Sequence, residues 1–167
     1  MNDKFGRELK DLRISVTDRC NFRCRYCMPE ELYGEAFEFL KKDKILSFEE
    51  IVRLSKIFIS LGVNKIRITG GEPLVRKNVV DLINSIHSIN KNVDIAMTTN
   101  GYLLKKFAHE LYESGLKRLT VSLDTLDDKI FKEMSGKNFK VSNVLEGIDE
   151  AVKVGFKDIK INSVIKK

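Results

Sequence analysis

Only two prolines interrupt the 167 residues and no low-complexity tract is present, which excludes collagen-like assemblies and intrinsic disorder. Long hydrophobic runs are missing too. The longest are broken by Lys, Asp or Asn well short of the roughly 18 to 20 residues that a bilayer crossing needs. The opening stretch, Met1-Asn2-Asp3-Lys4-Phe5-Gly6-Arg7, is polar and carries no secretory signal, so a cytoplasmic protein without membrane attachment is expected. Cysteine is scarce and odd in number. Three thiols packed within eight residues make a poor disulfide framework and point instead to metal or catalysis. The 30 Lys and Arg against 24 Asp and Glu leave a net charge of +6, yet no basic run exceeds two residues. The charge therefore names no partner, and without a recognition motif nucleic acid is not expected to be one.

What is present is a 43% apolar composition that suits one soluble domain over residues 1–167. Short β-branched runs alternate with longer segments of helical period. The first strand reads Leu12 to Thr17 and leads into a polar loop, Asp18 to Pro29, that holds all three cysteines. Ser47 and Glu50 then form a capping box for a helix whose Ile51, Leu54, Phe58 and Leu61 share a face, with Gly62 as its stop. A second strand, Lys65 to Thr69, ends in Gly70-Gly71-Glu72-Pro73. Asn78 is placed to cap the next helix, which carries Val79, Leu82, Ile86 and Ile89.

The unit repeats. The third strand, Val93 to Thr98, ends in Thr99-Asn100-Gly101, and its helix carries Leu104, Phe107, Ala108 and Leu111 up to Gly115. The fourth, Arg118 to Leu123, precedes a short helix from Asp128 to Met134 and a longer one from Ser142 to Val154, stopped by Gly155. The fifth spans Asp158 to Val164. Alternating strands and helices predict an α/β fold with a parallel sheet and right-handed crossovers. A closed eight-unit barrel needs about 250 residues, so five strands predict a partial (βα) barrel, incomplete at its C-terminal edge. The last strand, followed only by Ile165-Lys166-Lys167, has no helix to cover it, which suggests a shortened chain or a missing partner segment. That exposed edge leaves a homodimer open.

Cys20, Cys24 and Cys27 stand in the order Cys-x-x-x-Cys-x-x-Cys. Three thiolates this close suit one polynuclear iron–sulfur centre, with one iron left open to a small molecule. A zinc knuckle lacking its fourth ligand is the other reading, because His87 and His109 lie far along the chain and are expected at the surface.

In parallel α/β sheets the active site lies at the carboxyl ends of the strands. There the paired glycines Gly70 and Gly71 either admit a ligand close to the backbone or merely make a tight turn. Thr98 and Ser122 offer hydroxyls, while Asn100 and Asn162 either donate hydrogen bonds or close turns. Arg13, Arg67 and Lys160 fall on strand positions. They are solvent-facing charges, or they line a polar inner face suited to phosphate oxygens.

The run Ser15-Val16-Thr17-Asp18-Arg19-Cys20-Asn21-Phe22-Arg23-Cys24-Arg25-Tyr26-Cys27-Met28-Pro29 resembles the radical S-adenosylmethionine superfamily. Its narrower pattern, Thr-Asp-Arg-Cys-Asn-Phe-Arg-Cys-x-Tyr-Cys-Met-Pro, is similar to the GTP 3′,8-cyclase family that opens molybdenum cofactor biosynthesis. The likeness continues through Ile66 to Arg76, Thr98 to Gly101, Val121 to Leu126 and Leu145 to Ile148. It departs at Lys137, where the family often has Arg, and at the longer, more acidic segment Glu31 to Lys44.

The resemblance implies that Cys20, Cys24 and Cys27 hold a 4Fe-4S cluster, that Tyr26, Gly71 and Ser122 contact S-adenosyl-L-methionine, and that Arg13, Arg67, Thr98 and Lys160 bind GTP. It also implies an external electron donor, a 5′-deoxyadenosyl radical that takes hydrogen from ribose C3′, and closure onto guanine C8. The second cysteine triplet that binds another 4Fe-4S cluster in this family does not occur in the sequence. The chain thus resembles the N-terminal catalytic half, lacking the last barrel unit and the second-cluster domain. A peptide-modifying maturase of the same superfamily and a zinc-bound interaction module are the competing readings.

Overall fold

Parallel strands laid side by side in chain order, with right-handed crossovers, put every connecting helix on one face of the sheet and leave the other face bare. The computed structural model, which describes residues 2–165, has that arrangement. Met1, where the polar start begins, and the closing Lys166-Lys167 pair lie outside the described residues. Five strands, β1 (Asp11–Ser15), β2 (Lys65–Thr69), β3 (Asp94–Thr99), β4 (Arg118–Ser122) and β5 (Ile159–Asn162), pair in the order β1-β2-β3-β4-β5, all parallel. Between them run the helices α1 (Glu30–Tyr33), α2 (Phe48–Ser60), α3 (Val79–Ile89), α4 (Leu104–Glu113), α5 (Asp128–Ser135) and α6 (Val141–Val154). The expected α/β partial barrel of five parallel strands is the fold observed. Among the described residues β5 pairs only with β4.

Alternation along each strand sorts the side chains. Ile66, Ile68, Ile95, Met97, Leu119 and Val121 point to the helices and are buried with Leu82, Ile83, Ile86, Leu104 and Leu111 in one core. The opposite set includes Arg13, Arg67, Thr98, Thr120 and Lys160, on the face without helices. A polar inner face is thus built into the strand register, not added by loops.

Local signals set the helix ends. The capping box forms: Glu50 N–H donates to Ser47 Oγ at 3.2 Å and Ser47 N–H to Glu50 Oε2 at 2.7 Å. The buried face of α2, however, runs through Ile51 and Ser55, while Leu54 and Leu61 are exposed. At about 100° per residue those leucines sit roughly 60 to 80° round from Ile51, on the flank away from the sheet. Asn78 stands before α3 in the left-handed conformation, φ 64°, and its side chain makes no cap. It turns the chain out of a 3-10 segment, Pro73–Val75, a conformation Asn tolerates. Two short elements, α1 and a 3-10 turn at Lys42–Lys44, occupy the acidic stretch after the cysteines. Both are too short to leave a periodic signal.

Candidate active site

Beyond β1 and β2 the two segments stay together. Gly71 N–H donates to Thr17 O and Glu72 N–H to Arg19 O, both at 2.8 Å, so the glycine turn rides directly on the cysteine loop. A Cβ on Gly70 would meet Thr17 O at 2.6 Å, and one on Gly71 would meet Arg19 O at 2.3 Å. The close backbone approach expected of these glycines is therefore made first to the cysteine loop itself. Their small size sets the height of that loop above the sheet.

The loop's spacer residues hold it in place. Phe22 is buried against Tyr102, Phe131 and Phe139, at ring-centroid distances of 6.1, 5.9 and 5.6 Å. Arg23 Nη1 donates to Cys20 O and Phe22 O, and its Nε to Tyr33 O, all at 2.8 Å. Arg23 N–H donates to Ser135 O at the end of α5, where Gly136 leaves room: a Cβ there would lie 2.3 Å from Arg23 O. Sequence reading treated Phe22 and Arg23 as spacers. An aromatic and a fork-shaped donor between metal-spaced cysteines were the available signal.

Cys20 and Cys24 are half-buried and Cys27 is exposed. Phe22 N–H at 3.4 Å and the Asn100 amide at 3.8 Å both point at Cys20 Sγ. Burial pushes the Cys20 thiol up, and burial with the neighbouring charge of Cys20 and Cys27 pushes Cys24 up to about 11. Three thiolates that repel one another need a cationic partner. Among the described residues no three His, Cys, Asp or Glu side chains gather closely enough for a single metal ion. Three thiols on one loop, with no fourth ligand gathered to them among the described residues, are the donor set that an iron–sulfur cluster with one open iron fits. His109 is exposed as expected. His87 is not a simple surface residue: its ring lies over Gly115, where a Cβ would come within 2.4 Å of it, and its Nδ1 is buried.

Glu72 was not singled out in the sequence, yet it is 1% exposed at the centre of this region. Its Oε1 accepts from Leu74 N–H at 3.0 Å and Thr99 Oγ1 at 2.8 Å, and its Oε2 from Asn100 N–H at 2.7 Å. Burial raises its carboxyl above the usual range, against the lowering pull of those three donors.

The inner face divides by charge. At the amino ends of the strands, Lys65 pairs with Asp11 at 3.4 Å and Arg118 with Asp94. Nearer the carboxyl ends, Arg13 stands in register with Arg67 and Lys160 with Thr120. Among the described residues no ion pair involves Arg13, Arg67 or Lys160. Arg67 Nη1 reaches the hydroxyls of Thr120 at 3.1 Å and Thr98 at 3.4 Å. Arg67, Arg118, Thr120, Lys157, Asp158 and Lys160 are among the residues lining a cavity of about 480 Å³. Cations side by side on adjacent strands repel, and an anion between them relieves that cost.

Tyr26 and Ser122 flank the upper rim. The Tyr26 hydroxyl donates to Asp124 Oδ2 at 2.7 Å, and burial followed by that contact keeps the phenol protonated far above its ordinary range. Ser122 is half-buried at the end of β4, in register with Asn162. A second cavity, about 690 Å³, opens beside Tyr26, Asp124, Met134 and Val164.

A cysteine triplet on the loop after β1, clamped by a glycine turn after β2 over a polar inner face, is the layout of one enzyme class. The chain belongs to the radical SAM superfamily, whose family model matches residues 14–167. More particularly, it is 54% identical over all 167 residues to the GTP 3′,8-cyclase of Staphylococcus epidermidis and 53% identical to that of Staphylococcus haemolyticus. The chain spans about half, 49%, of the length of these curated relatives. Among solved structures, methylornithine synthase (PylB) superposes with a TM-score of 0.71 at 15% identity, over 95% of this chain and 46% of its own. Native anSMEcpe with bound AdoMet gives 0.71 at 16% identity, over 93% of this chain and 44% of its own. These likenesses show the shared fold. Among the described residues no helix is long and apolar enough to cross a membrane.

Proposed function

We propose that this chain is the cluster- and substrate-binding core of a GTP 3′,8-cyclase. The observation that carries the reading is the set of mid-strand cations on the inner face, Arg13, Arg67 and Lys160, which no ion pair engages among the described residues. The cyclases of Staphylococcus, half-identical to this chain over its whole length, supply the particular substrate.

Cys20, Cys24 and Cys27 would hold a 4Fe-4S cluster, and with only three protein ligands it would be free to bind S-adenosyl-L-methionine. Together the cluster and adenosylmethionine supply one-electron cleavage of a sulfonium C–S bond, with the electron coming from an external donor. The chain's own residues bind and orient. Gly71 presents backbone to the methionine end of the cofactor, Ser122 offers a hydroxyl, and Tyr26, kept protonated, borders the 690 Å³ cavity that gives room for its nucleoside end. Arg67 and Arg13 grip the triphosphate, Thr98 and Thr120 hold the Arg67 guanidinium on the inner face, and Lys160 reaches in from β5.

Anaerobic reconstitution of the purified chain with iron and sulfide, followed by electron paramagnetic resonance of the reduced sample, tests this. A four-iron signal that changes on adding adenosylmethionine, together with thermal protection by GTP and none by an unrelated peptide, is the expected result. Zinc copurifying in place of iron and sulfide sinks it, and protection by peptide alone moves the chain to another member of the superfamily.

A further inference from the structure

Glu72 grips two elements at once. Its backbone N–H is bonded to Arg19 O, the residue before Cys20, at 2.8 Å, while its side chain accepts from Thr99 Oγ1 and Asn100 N–H at the end of β3. The Asn100 side chain continues the path. Its Oδ1 accepts from Tyr102 N–H at 3.1 Å, which fixes the amide's orientation and turns Nδ2 toward Asn21 Oδ1 at 2.8 Å and Cys20 Sγ at 3.8 Å. We infer that Glu72 is a positioning residue that holds Asn100 as a hydrogen-bond donor to the Cys20 sulfur and thereby tunes the reduction potential of the cluster bound there. The inference rests on the cluster reading of the three cysteines.

Two features of the geometry argue for tuning beyond simple packing. Glu72 is fully buried and satisfied by three donors, Leu74 N–H and Thr99 Oγ1 at one oxygen and Asn100 N–H at the other, so the carboxyl is used at both ends. A glutamine would set its own NH2 group against one of those donors. Among the described residues the Asn100 amide is one of two N–H groups pointing at Cys20 Sγ, the other being the backbone of Phe22. Hydrogen bonds to a ligating sulfur favour the more negative, reduced cluster, and that is the state from which an electron must leave.

The test compares the reconstituted chain with Asn100→Leu, which keeps the shape of the side chain and removes its donor, and with Glu72→Asp, which keeps the carboxyl and shortens its reach. The readout is the midpoint potential by redox titration followed by electron paramagnetic resonance. Asn100→Leu is expected to displace the reduction equilibrium about tenfold toward the oxidised cluster, 59 mV for one electron. Glu72→Asp should move it in the same direction, and the double variant no further than Asn100→Leu alone. Should Glu72→Asp lower thermal stability and leave the potential where it was, Glu72 is structural only and the inference is overturned. An unchanged potential in Asn100→Leu overturns it at the sulfur. A wild-type chain that assembles no cluster sinks the proposed function, and this inference with it, before any variant is compared.

Discussion

The Tyr26 hydroxyl donates to the Asp124 carboxylate at 2.7 Å, joining the cysteine loop to the end of β4 across 98 positions of sequence. The other Asp124 oxygen accepts from Val164 N–H at 2.9 Å, so one carboxylate ties the loop to the segment after β5 as well. Tyr26→Phe is expected to cost about 1 kcal/mol or less in stability, since the ring stays and a half-exposed hydrogen bond is lost. Binding should suffer more. Adenosylmethionine is expected to perturb the spectrum of the reduced cluster only at several-fold higher concentration, and a titration at unchanged potency refutes a role for the hydroxyl.

Gly71→Ala places a methyl group 2.3 Å from Arg19 O, a clash with backbone that no side-chain rotation relieves. The cysteine loop must lift. A loss of about 1 to 3 kcal/mol in urea unfolding is expected, together with reduced iron content after reconstitution. Wild-type iron content with wild-type stability would show that the loop has slack the contacts do not suggest.

Arg67→Met keeps the apolar stem and removes the guanidinium. Because no ion pair involves Arg67 among the described residues, the chain should be as stable as wild type or slightly more so. Protection by GTP should weaken by about ten- to a hundredfold in apparent affinity, the worth of one charge-assisted phosphate contact. A GTP-induced thermal shift equal to that of the wild type moves the phosphate site elsewhere.

Glu72 gives a signed pH dependence. Burial raises its carboxyl above the 4.5 of the unfolded chain, so folding favours the protonated form. Its contribution to stability is complete below pH 4.5 and is lost as pH rises through the folded-state value. The difference in melting temperature between wild type and Glu72→Gln should therefore be largest in acid and shrink toward neutral pH. A difference that grows with pH reverses the sign of the burial argument.

Leu82 is 1% exposed between α3 and the sheet. Leu82→Ala leaves a cavity there and is expected to cost about 2 to 5 kcal/mol in urea unfolding. A loss below 1 kcal/mol would mean that the helix layer collapses around the gap.

Much of this arrangement was legible in one dimension. The run Lys65-Ile66-Arg67-Ile68-Thr69 is β2 to the residue, because alternation, β-branching and the following glycines agree. Ser47 and Glu50 mark the start of α2 for the same reason. The first strand was read to Thr17 but its ladder ends at Ser15; Val16 and Thr17 stay extended, bonded to Thr69 and Gly71 as β2 turns away at Gly70. Leu54 and Leu61 were assigned to the buried face of α2, since periodicity marks an apolar stripe but not the roll of the helix against its neighbours.

The sequence by itself determined the alternation of strand and helix, the cysteine triplet and the resemblance that gives its residues roles, since each is written in neighbouring residues and their periods. Only the tertiary structure decided which cations are matched by carboxylates, that the glycine doublet seats the cysteine loop, and that Glu72 reaches Asn100 and, through it, Cys20. Those relations join residues 24 to 80 positions apart. They depend on strand register and on the single face the helices cover, and no local pattern of propensity or charge encodes either.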